Sequence, residues 1–465
     1  MATRLRFWFV LSTCLLLSAC TSFRDYNAEL DETLYYFRDG DIESAVAVLD
    51  RNNPIAPGDL LYNFERGELL RMNGDMSGSY ANWDYADRLI EGWANSPYFG
   101  TFKGFTDFNS YGANDKVRLY DGHDFEKVAL TTQMALMLLS AAETEKARVA
   151  IKKTHEREAI IADKRDLEYL ALENQAKDQG VALQYKDLQG YPVATLDAPE
   201  VVALKNSYQS AFSHYLAGFI YESLDEKDLA APGYRQAIEL HPNTPLLEQA
   251  LRNLAKSPLK AGEADVLLIV QTGLAPALQS VRVPISVDVE GQTFITNMSF
   301  PAVVPDTSTP PVDFITVDDK KQKLTLINSF GDMSRRSLRD DMPGIIQRTL
   351  HRARTNAQYL AFLKKRSPEK LEEEMLRQTQ QEDADTRVWR TLPDRTLIAR
   401  IRLSKGMHKL TLPNAPQYLP IKFEIDKTHQ AFSLRAVGNR IYAADLAMRQ
   451  DAQSAPLVDA KPALP

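Results

Sequence analysis

The chain has very little cysteine, and this scarcity excludes whole classes of chemistry. Among its 465 residues only Cys14 and Cys20 are cysteines, and both lie within the first twenty positions. The rest of the chain therefore offers no thiol for a disulfide, a zinc–thiolate site or a cysteine nucleophile. Cleavage just before Cys20 would remove Cys14 as well.

Recognisable catalytic motifs are also missing. The sequence contains no nucleophile elbow, Walker motif or dinucleotide-binding motif. Ser-x-x-Lys matches occur at Ser257–Lys260 and Ser367–Lys370, but proline follows each serine and no Lys-Thr-Gly comes after them, which disfavours a serine–lysine hydrolase. We therefore expect a non-enzymatic protein with no catalytic residues, no cofactor and no small-molecule substrate.

Histidine is sparse and scattered. The seven histidines form no His-Glu-x-x-His pair, so we expect no metal site. The most polar cluster places His123 beside Asp121, Asp124 and Glu126. We interpret it as the start of a helix, with Asp124 accepting backbone N–H groups as a cap, rather than as a set of metal ligands.

Positive charge is in deficit. The net charge is −7, and loss of Arg4 and Arg6 with a cleaved leader would leave −9. A negative surface disfavours nucleic acid as a partner and disfavours electrostatic adsorption to anionic lipid. At about 150 residues per domain, the length predicts about three domains.

Long hydrophobic runs are absent from the motifs above, but one short run stands near the start. Arg4 and Arg6 precede an apolar-rich run over Phe7–Leu17, which is shorter than the about 20 residues that a transmembrane helix needs. A basic start, a short apolar run and small residues before Cys20 are typical of a secretory signal peptide. We predict that this signal peptide covers residues 1–19.

The stretch Leu17-Ser18-Ala19-Cys20 also resembles the lipobox of bacterial lipoproteins. The resemblance implies that Cys20 carries a thioether-linked diacylglycerol and an acylated amine, such as a palmitate. Thr21, where aspartate is absent, implies sorting to the periplasmic face of the outer membrane. Residues 20–26 would then form a lipidated tether that keeps the first domain within roughly 25 Å of the lipid. The alternative is an ordinary secretory signal with an accidental cysteine.

A 34-residue repeat marks the region predicted to be helical, residues 27–258. The pair Gly40-Asp41 recurs as Gly74-Asp75, and a clearer copy spans Ala211–Pro242, with a further one at Val128–Thr154. This pattern resembles tetratricopeptide repeats, which implies helix pairs stacked into an α-solenoid. The clearest copy matches the family at Gly218, Tyr221, Ala230, Tyr234, Ala237 and Pro242.

An aromatic-rich segment, residues 96–124, interrupts the repeats and is predicted to be a loop. Long loops inside compact domains are usually functional or disordered, and aromatic residues disfavour disorder. Two interpretations remain open: a plug for one end of the solenoid, or a lid or partner-binding element. The aromatic residues are Tyr98, Phe99, Phe102, Phe105, Phe108 and Tyr111.

Strand patterns dominate after residue 258. Asp265–Gln271 is a continuous apolar run, and Val281–Val289 alternates with period two, as in a half-buried strand. We predict an antiparallel, β-sandwich-like domain over 259–332 plus 386–446. The fold class is therefore α+β and multidomain, with a helical insert over 333–385 and a disordered tail over 447–465.

Taken whole, the chain resembles a little-characterised family of bacterial lipoproteins. The resemblance rests on Tyr120–Glu126, Ala147-Arg148-Val149 and Trp389–Gly406. It implies a lipobox, degenerate tetratricopeptide-like helices and a C-terminal β domain, and it implies no particular activity.

These observations favour a lipid-anchored scaffold that binds an envelope or periplasmic protein. In tetratricopeptide solenoids the first helix of each repeat lines a concave wall, where aromatic residues and charges suit peptide capture. The alternatives are that this wall packs within the molecule, or that the protein regulates cell-wall synthesis or envelope assembly through its β domain. The predicted wall residues are Phe64, Glu68, Arg71, Tyr215, Phe219 and Glu222.

Overall fold

The fold is α+β, with a helical region followed by a region of strands. It is seen in a computed structural model that describes residues 25–53, 58–179, 185–256, 259–412 and 420–443. The predicted signal peptide, Cys20 and the predicted tail 447–465 lie outside the described residues.

Helices α1 to α11 occupy the first part of the chain, mostly as antiparallel neighbours. The first pairs are α1 (Tyr26–Asp39) with α2 (Ile42–Asn52), α3 (Leu60–Met72) with α4 (Met76–Asn95), and then α5 (Pro97–Asn109). There follow α6 (Asp124–Ser140), α7 (Thr144–Gln179), α8 (Pro199–Val202), α9 (Ala211–Ser223), α10 (Lys227–Leu240) and α11 (Pro245–Lys256), with 3₁₀ turns at Asp115–Val117, Tyr185–Asp187 and Val193–Thr195.

The repeated Gly-Asp pair ends one helix and begins the next. Gly40 follows α1 at φ +92°, in the left-handed region where glycine has no steric penalty. Asp41 then opens α2 by accepting the Ser44 N–H at 3.0 Å. Gly74, at φ +79°, and Asp75 repeat this arrangement between α3 and α4.

Glycine also allows the paired helices to cross closely. A Cβ built on Gly67 of α3 would lie 2.3 Å from the Trp83 ring of α4. A Cβ built on Gly218 of α9 would lie 2.6 Å from the Tyr234 ring of α10. In both pairs the large ring fills the space left by the missing side chain, so the crossing is closely packed.

The strands form two larger sheets and a two-stranded ribbon. The five-stranded sheet has the order β11-β10-β1-β7-β6, the four-stranded sheet the order β5-β4-β8-β9, and β2 pairs with β3. The strands are β1 (Glu263–Thr272), β2 (Ala277–Val289), β3 (Gln292–Val304), β4 (Phe314–Val317), β5 (Lys320–Lys323), β6 (Thr325–Ser329), β7 (Arg395–Ser404), β8 (Gly406–Thr411), β9 (Ile421–Ile425), β10 (His429–Val437) and β11 (Arg440–Tyr442).

Strand β1 is buried on both faces, which explains its unbroken apolar run. Leu267 and Ile269 pack into a core shared with the helices. Val266 and Leu268, on the opposite face, pack into a core shared with the four-stranded sheet. The larger sheet is therefore a middle layer between helices and a second sheet.

One strand pair departs from the antiparallel prediction. β1 is antiparallel to β7 but parallel to β10, with Leu267 opposite Ala431. β10 follows β9, which belongs to the other sheet, so no tight hairpin to a sheet neighbour sets its direction. The remaining paired strands are antiparallel.

The predicted insert is helical and supports the β2–β3 ribbon. Helix α12 (Phe330–Arg366) begins directly after β6, because Ser329 caps it by accepting the Asp332 N–H. A 3₁₀ turn and α13 (Leu371–Gln381) follow. Ile345 and Ile346 of α12 share a core with Met298 of β3. Among the described residues, no helix is long and apolar enough to span a bilayer.

Candidate functional site

The six predicted wall residues come from two helices, as expected from the repeat register. Phe64, Glu68 and Arg71 lie on α3, and Tyr215, Phe219 and Glu222 lie on α9. They do not line an open groove. Five of the six are completely buried, and Glu222 is nearly so, because the chain's own five-stranded sheet and the segment before it cover the wall. The interpretation of packing within the molecule therefore describes this wall, although the cover is the sheet rather than the aromatic segment.

An aromatic stack forms one end of this interface. Phe64 of α3 stacks on Trp389 with ring centroids 4.6 Å apart, and Trp83 meets the same indole edge-on at 6.1 Å. None of the three side chains is exposed. Since buried aromatic rings contribute most of the apolar area in such contacts, Trp389 is the main apolar anchor between the two halves.

A buried ionic cluster lies beside the stack. Glu68 accepts two hydrogen bonds from Arg71, at 2.9 and 3.0 Å, and a third from Arg435 of β10 at 3.3 Å. Arg71 also donates to Gln271 of β1 at 3.2 Å. Burial lowers the pKa of Arg435 to about 10. One helical carboxylate thus holds two arginines, one from each half of the molecule.

A second ionic cluster forms where α9 meets the sheet. Arg400 of β7 donates to Glu222 at 2.7 Å and to Asp265 of β1 at 2.8 Å. Its guanidinium also lies over the Phe219 ring, 5.2 Å from the centroid, and donates to the Tyr234 hydroxyl at 2.9 Å. Such a desolvated, multiply bonded arginine fixes both geometry and register.

The same cluster contains a set of atoms with metal-ligand spacing. Possible ligand atoms of Glu222, Asp265 and His429 lie within 4.8 Å of one another. Arg400, however, already contacts both carboxylates and supplies the positive charge that they need. The arrangement therefore serves as an ion-pair network.

Two buried glutamates that the sequence analysis did not single out hold the segment that leads into β7. Glu65 accepts hydrogen bonds from the backbone N–H groups of Arg390 and Thr391, at 2.7 and 2.8 Å, and from the Tyr26 hydroxyl at 2.7 Å. Burial raises the pKa of Glu65, whereas these hydrogen bonds lower it. The only available signal was a glutamate within the apolar helical run of α3.

Glu126 completes this clamp from α6. It accepts the Trp389 backbone N–H at 2.6 Å and also bonds the Tyr120 hydroxyl. It caps its own helix as well, by accepting the His123 N–H at 2.8 Å. Residues 120–126 and 389, both part of the family resemblance, are therefore in contact.

The predicted capping role of Asp124 is wrong. Asp124 is the first residue of α6, one position too late to act as the cap. Its carboxylate instead pairs with Arg165 at 2.6 Å and with Lys127 at 3.4 Å. Glu126 provides the cap contact.

The segment 96–124 is not a continuous loop, because residues 97–109 form helix α5. Pro97 starts this helix, where its missing N–H and fixed φ suit the first turn. The polar side chains of α5 face the body: Lys103 binds Asp121 at 2.7 Å, and Asp107 accepts from Arg118 at 2.8 Å. Helix α5 is thus attached to the rest of the molecule by its charges.

The aromatic side chains of α5 face outward. Tyr98 is 88% exposed, Phe102 51%, Phe105 55% and Phe108 73%. Their spacing of four, three and three residues places them along one side of the helix. These four rings do not act as a plug, and they form the most aromatic exposed surface among the described residues. We call it the aromatic face.

Comparisons with known proteins identify no relative: no family model matches the chain, and no curated protein matches it. The chain's own geometry therefore carries the functional argument. Its two main features are a closed interface between helices and sheet and an aromatic face turned away from that interface.

Proposed function

We propose that the protein is a non-enzymatic, lipid-anchored scaffold of a bacterial outer membrane, held by acylated Cys20 on the periplasmic face, that positions a protein partner in the cell envelope. Its helical part is a tetratricopeptide-like solenoid. The Gly-Asp turns and the crossings at Gly67 and Gly218 support this assignment, since small residues at helix contacts and large rings opposite them are typical of such repeats.

The observation that carries the proposal is the closed interface. Glu68 and Arg435, and Glu222 and Arg400, join the helices to the sheet through desolvated ion pairs. Buried pairs of this kind fix relative position better than they add stability. A partner bound to the β half is therefore held in a defined position relative to the anchored N-terminus.

Because the sheet covers the concave wall, the partner surface must lie elsewhere. The insert offers an exposed apolar area. Tyr359 and Phe362 of α12 stack on each other, with centroids 6.3 Å apart, and are 45% and 52% exposed. Ile295 of β3 and Met375 of α13 line one shallow cavity nearby and are also exposed. Exposed aromatic residues of this kind are typical of protein interfaces.

This area favours a second candidate function, regulation of cell-wall synthesis or envelope assembly through the β half. Deleting residues 259–446 does not separate the two functions, because the deletion would expose the wall around Phe64 and unfold the helical half. Point changes are therefore needed. A photo-crosslinking residue at position 362, in otherwise intact cells, should trap an envelope protein, and the same residue replacing exposed Tyr35 of α1 serves as the matched control.

The scaffold predicts a position-specific crosslink at 362 and no change in the partner's catalytic rate on adding purified protein. The regulatory alternative predicts the same crosslink to a cell-wall enzyme whose turnover changes. Equal crosslinking at 35 and 362 would contradict a partner surface on the insert.

A further inference from the structure

Helix α5 is amphipathic in the inverted sense. Its charged residues Lys103 and Asp107 are used in ion pairs with the body, whereas its four aromatic residues face away from the body. Folding alone does not favour this orientation, because exposing rings to water forgoes the free energy that their burial would supply. An apolar or amphipathic environment outside the chain therefore has to cover the aromatic face.

The composition of this face limits what that environment is. Between the rings, the exposed positions are Gly100, Thr101, Gly104 and Asn109, and none of them is charged. An aromatic surface with hydroxyl and amide groups but no charge fits the boundary between lipid headgroups and acyl chains, where Tyr and Phe side chains are stable. It does not depend on anionic lipid, which the negative chain would repel.

The position of α5 relative to the start of the chain points to the same environment. Arg387 donates to the carbonyl of Arg118, the residue that holds Asp107 of α5. Three residues further on, Arg390 donates to Asn27 in the first turn of α1. Three residues span at most about 11 Å, so this short segment joins the attachment of α5 to the N-terminal helix.

The chain between Asp25 and the proposed anchor is short as well. Five residues separate Asp25 from Cys20, a reach of at most about 18 Å. The membrane that holds Cys20 is therefore within reach of the end of the molecule that carries α5.

We propose that the aromatic face of α5 inserts into the interfacial layer of the same membrane and forms a second contact beside the lipid anchor. This inference rests on the proposed lipid anchor. A single flexible tether leaves the body free to rotate, whereas a tether plus an interfacial helix fixes one orientation relative to the lipid plane. Helices that lie in this way bury their apolar side about 5–10 Å below the headgroups.

The test uses the full, acylated chain in phosphatidylcholine vesicles. In Phe105→Trp, the new indole should be quenched by lipids brominated high on the acyl chain and less by lipids brominated near the chain ends, and its emission should shift to the blue. Phe362→Trp is the matched control, because Phe362 has similar exposure on a different helix, and its indole should not be quenched. The wild-type protein gives the background from its own tryptophans.

Each remaining outcome separates another explanation. An unquenched indole at 105 in vesicle-bound protein would overturn the inference while leaving the anchor intact, whereas failure of the wild-type protein to float with vesicles would overturn the anchor itself. A blue shift at 105 without lipid that disappears on dilution would identify a second copy of the chain as the cover and would also overturn the inference. The triple variant F102S/F105S/F108S should still float, yet lose the protection of Lys103 and its neighbours from protease that wild type gains on vesicles.

Discussion

The closed interface leads to a quantitative prediction about Glu68→Gln. Glu68 is the one carboxylate that faces both Arg71, on its own helix, and Arg435, on the sheet. Glutamine has the same shape and keeps one acceptor oxygen, so the substitution creates no cavity. It removes the negative charge and turns an N–H₂ group toward buried guanidinium donors.

The expected loss follows from the burial of these side chains. All three are at most 1% exposed, so water cannot replace the lost charge. Removing one partner of a buried ion pair costs about 3–5 kcal/mol. The matched control is Glu32→Gln, which removes a glutamate charge from an exposed pair with Arg51 at 2.6 Å, where the expected loss is under about 1 kcal/mol.

The assay is urea unfolding at neutral pH, followed by far-UV circular dichroism and by tryptophan emission. Trp83 and Trp389 report on the interface because both are buried in it. Since the cluster joins the two halves, both signals should move to lower urea together in Glu68→Gln. If its transitions coincide with those of Glu32→Gln, the cluster does not hold the halves together and the reasoning fails.

Three further predictions use other parts of the structure. Gly67→Ala should destabilise the chain by about 1–3 kcal/mol, because its methyl group would overlap the Trp83 ring, whereas Gly92→Ala in the open interior of α4 should stabilise it by about 0.5–1 kcal/mol in the same urea assay. Burial and the neighbouring ring of His214 lower the pKa of His155 to about 4, so the unfolded state binds the extra proton below pH 6.5. The free energy of unfolding should thus fall by about 3 kcal/mol between pH 6.5 and 4, and His155→Phe should remove that fall; an unchanged pH profile would contradict it. Cys20→Ser should leave the melting temperature unchanged and release the chain from membranes, and retention in the membrane fraction would argue against the anchor.

Local signals predicted the helical pairs well. The Gly-Asp turns arise from residue-level physics, since Gly40 needs a left-handed φ and Asp41 caps the next helix. The pairing of Gly218 with Tyr234 is likewise encoded within one hairpin. Period-two and unbroken apolar patterns similarly located β2 and β1.

What covers the wall could not be predicted in the same way. A helix face with Phe64, Glu68 and Arg71 has the same pattern whether it binds a peptide or a sheet. Its partner Arg435 lies 367 positions later, and no local pattern connects the two residues. Long-range burial of this kind depends on the whole topology, including the parallel entry of β10.

Helix α5 was missed for a different reason. Gly100 and Gly104 lower helix propensity and favoured a loop. The helix is stabilised instead by tertiary ion pairs, because Lys103 and Asp107 are one turn apart and both reach the following segment. Its outward aromatic residues also contradict the usual inside–outside pattern, which is where an external surface becomes the simplest explanation.

The central claim is that this body is fixed to a membrane through Cys20, and intact mass spectrometry of the protein purified from native membranes tests it most directly. The account predicts a chain that begins at Cys20 and carries the added mass of a diacylglycerol and one further acyl group. An unmodified Cys20, or a chain that still contains residues 1–19, would contradict it.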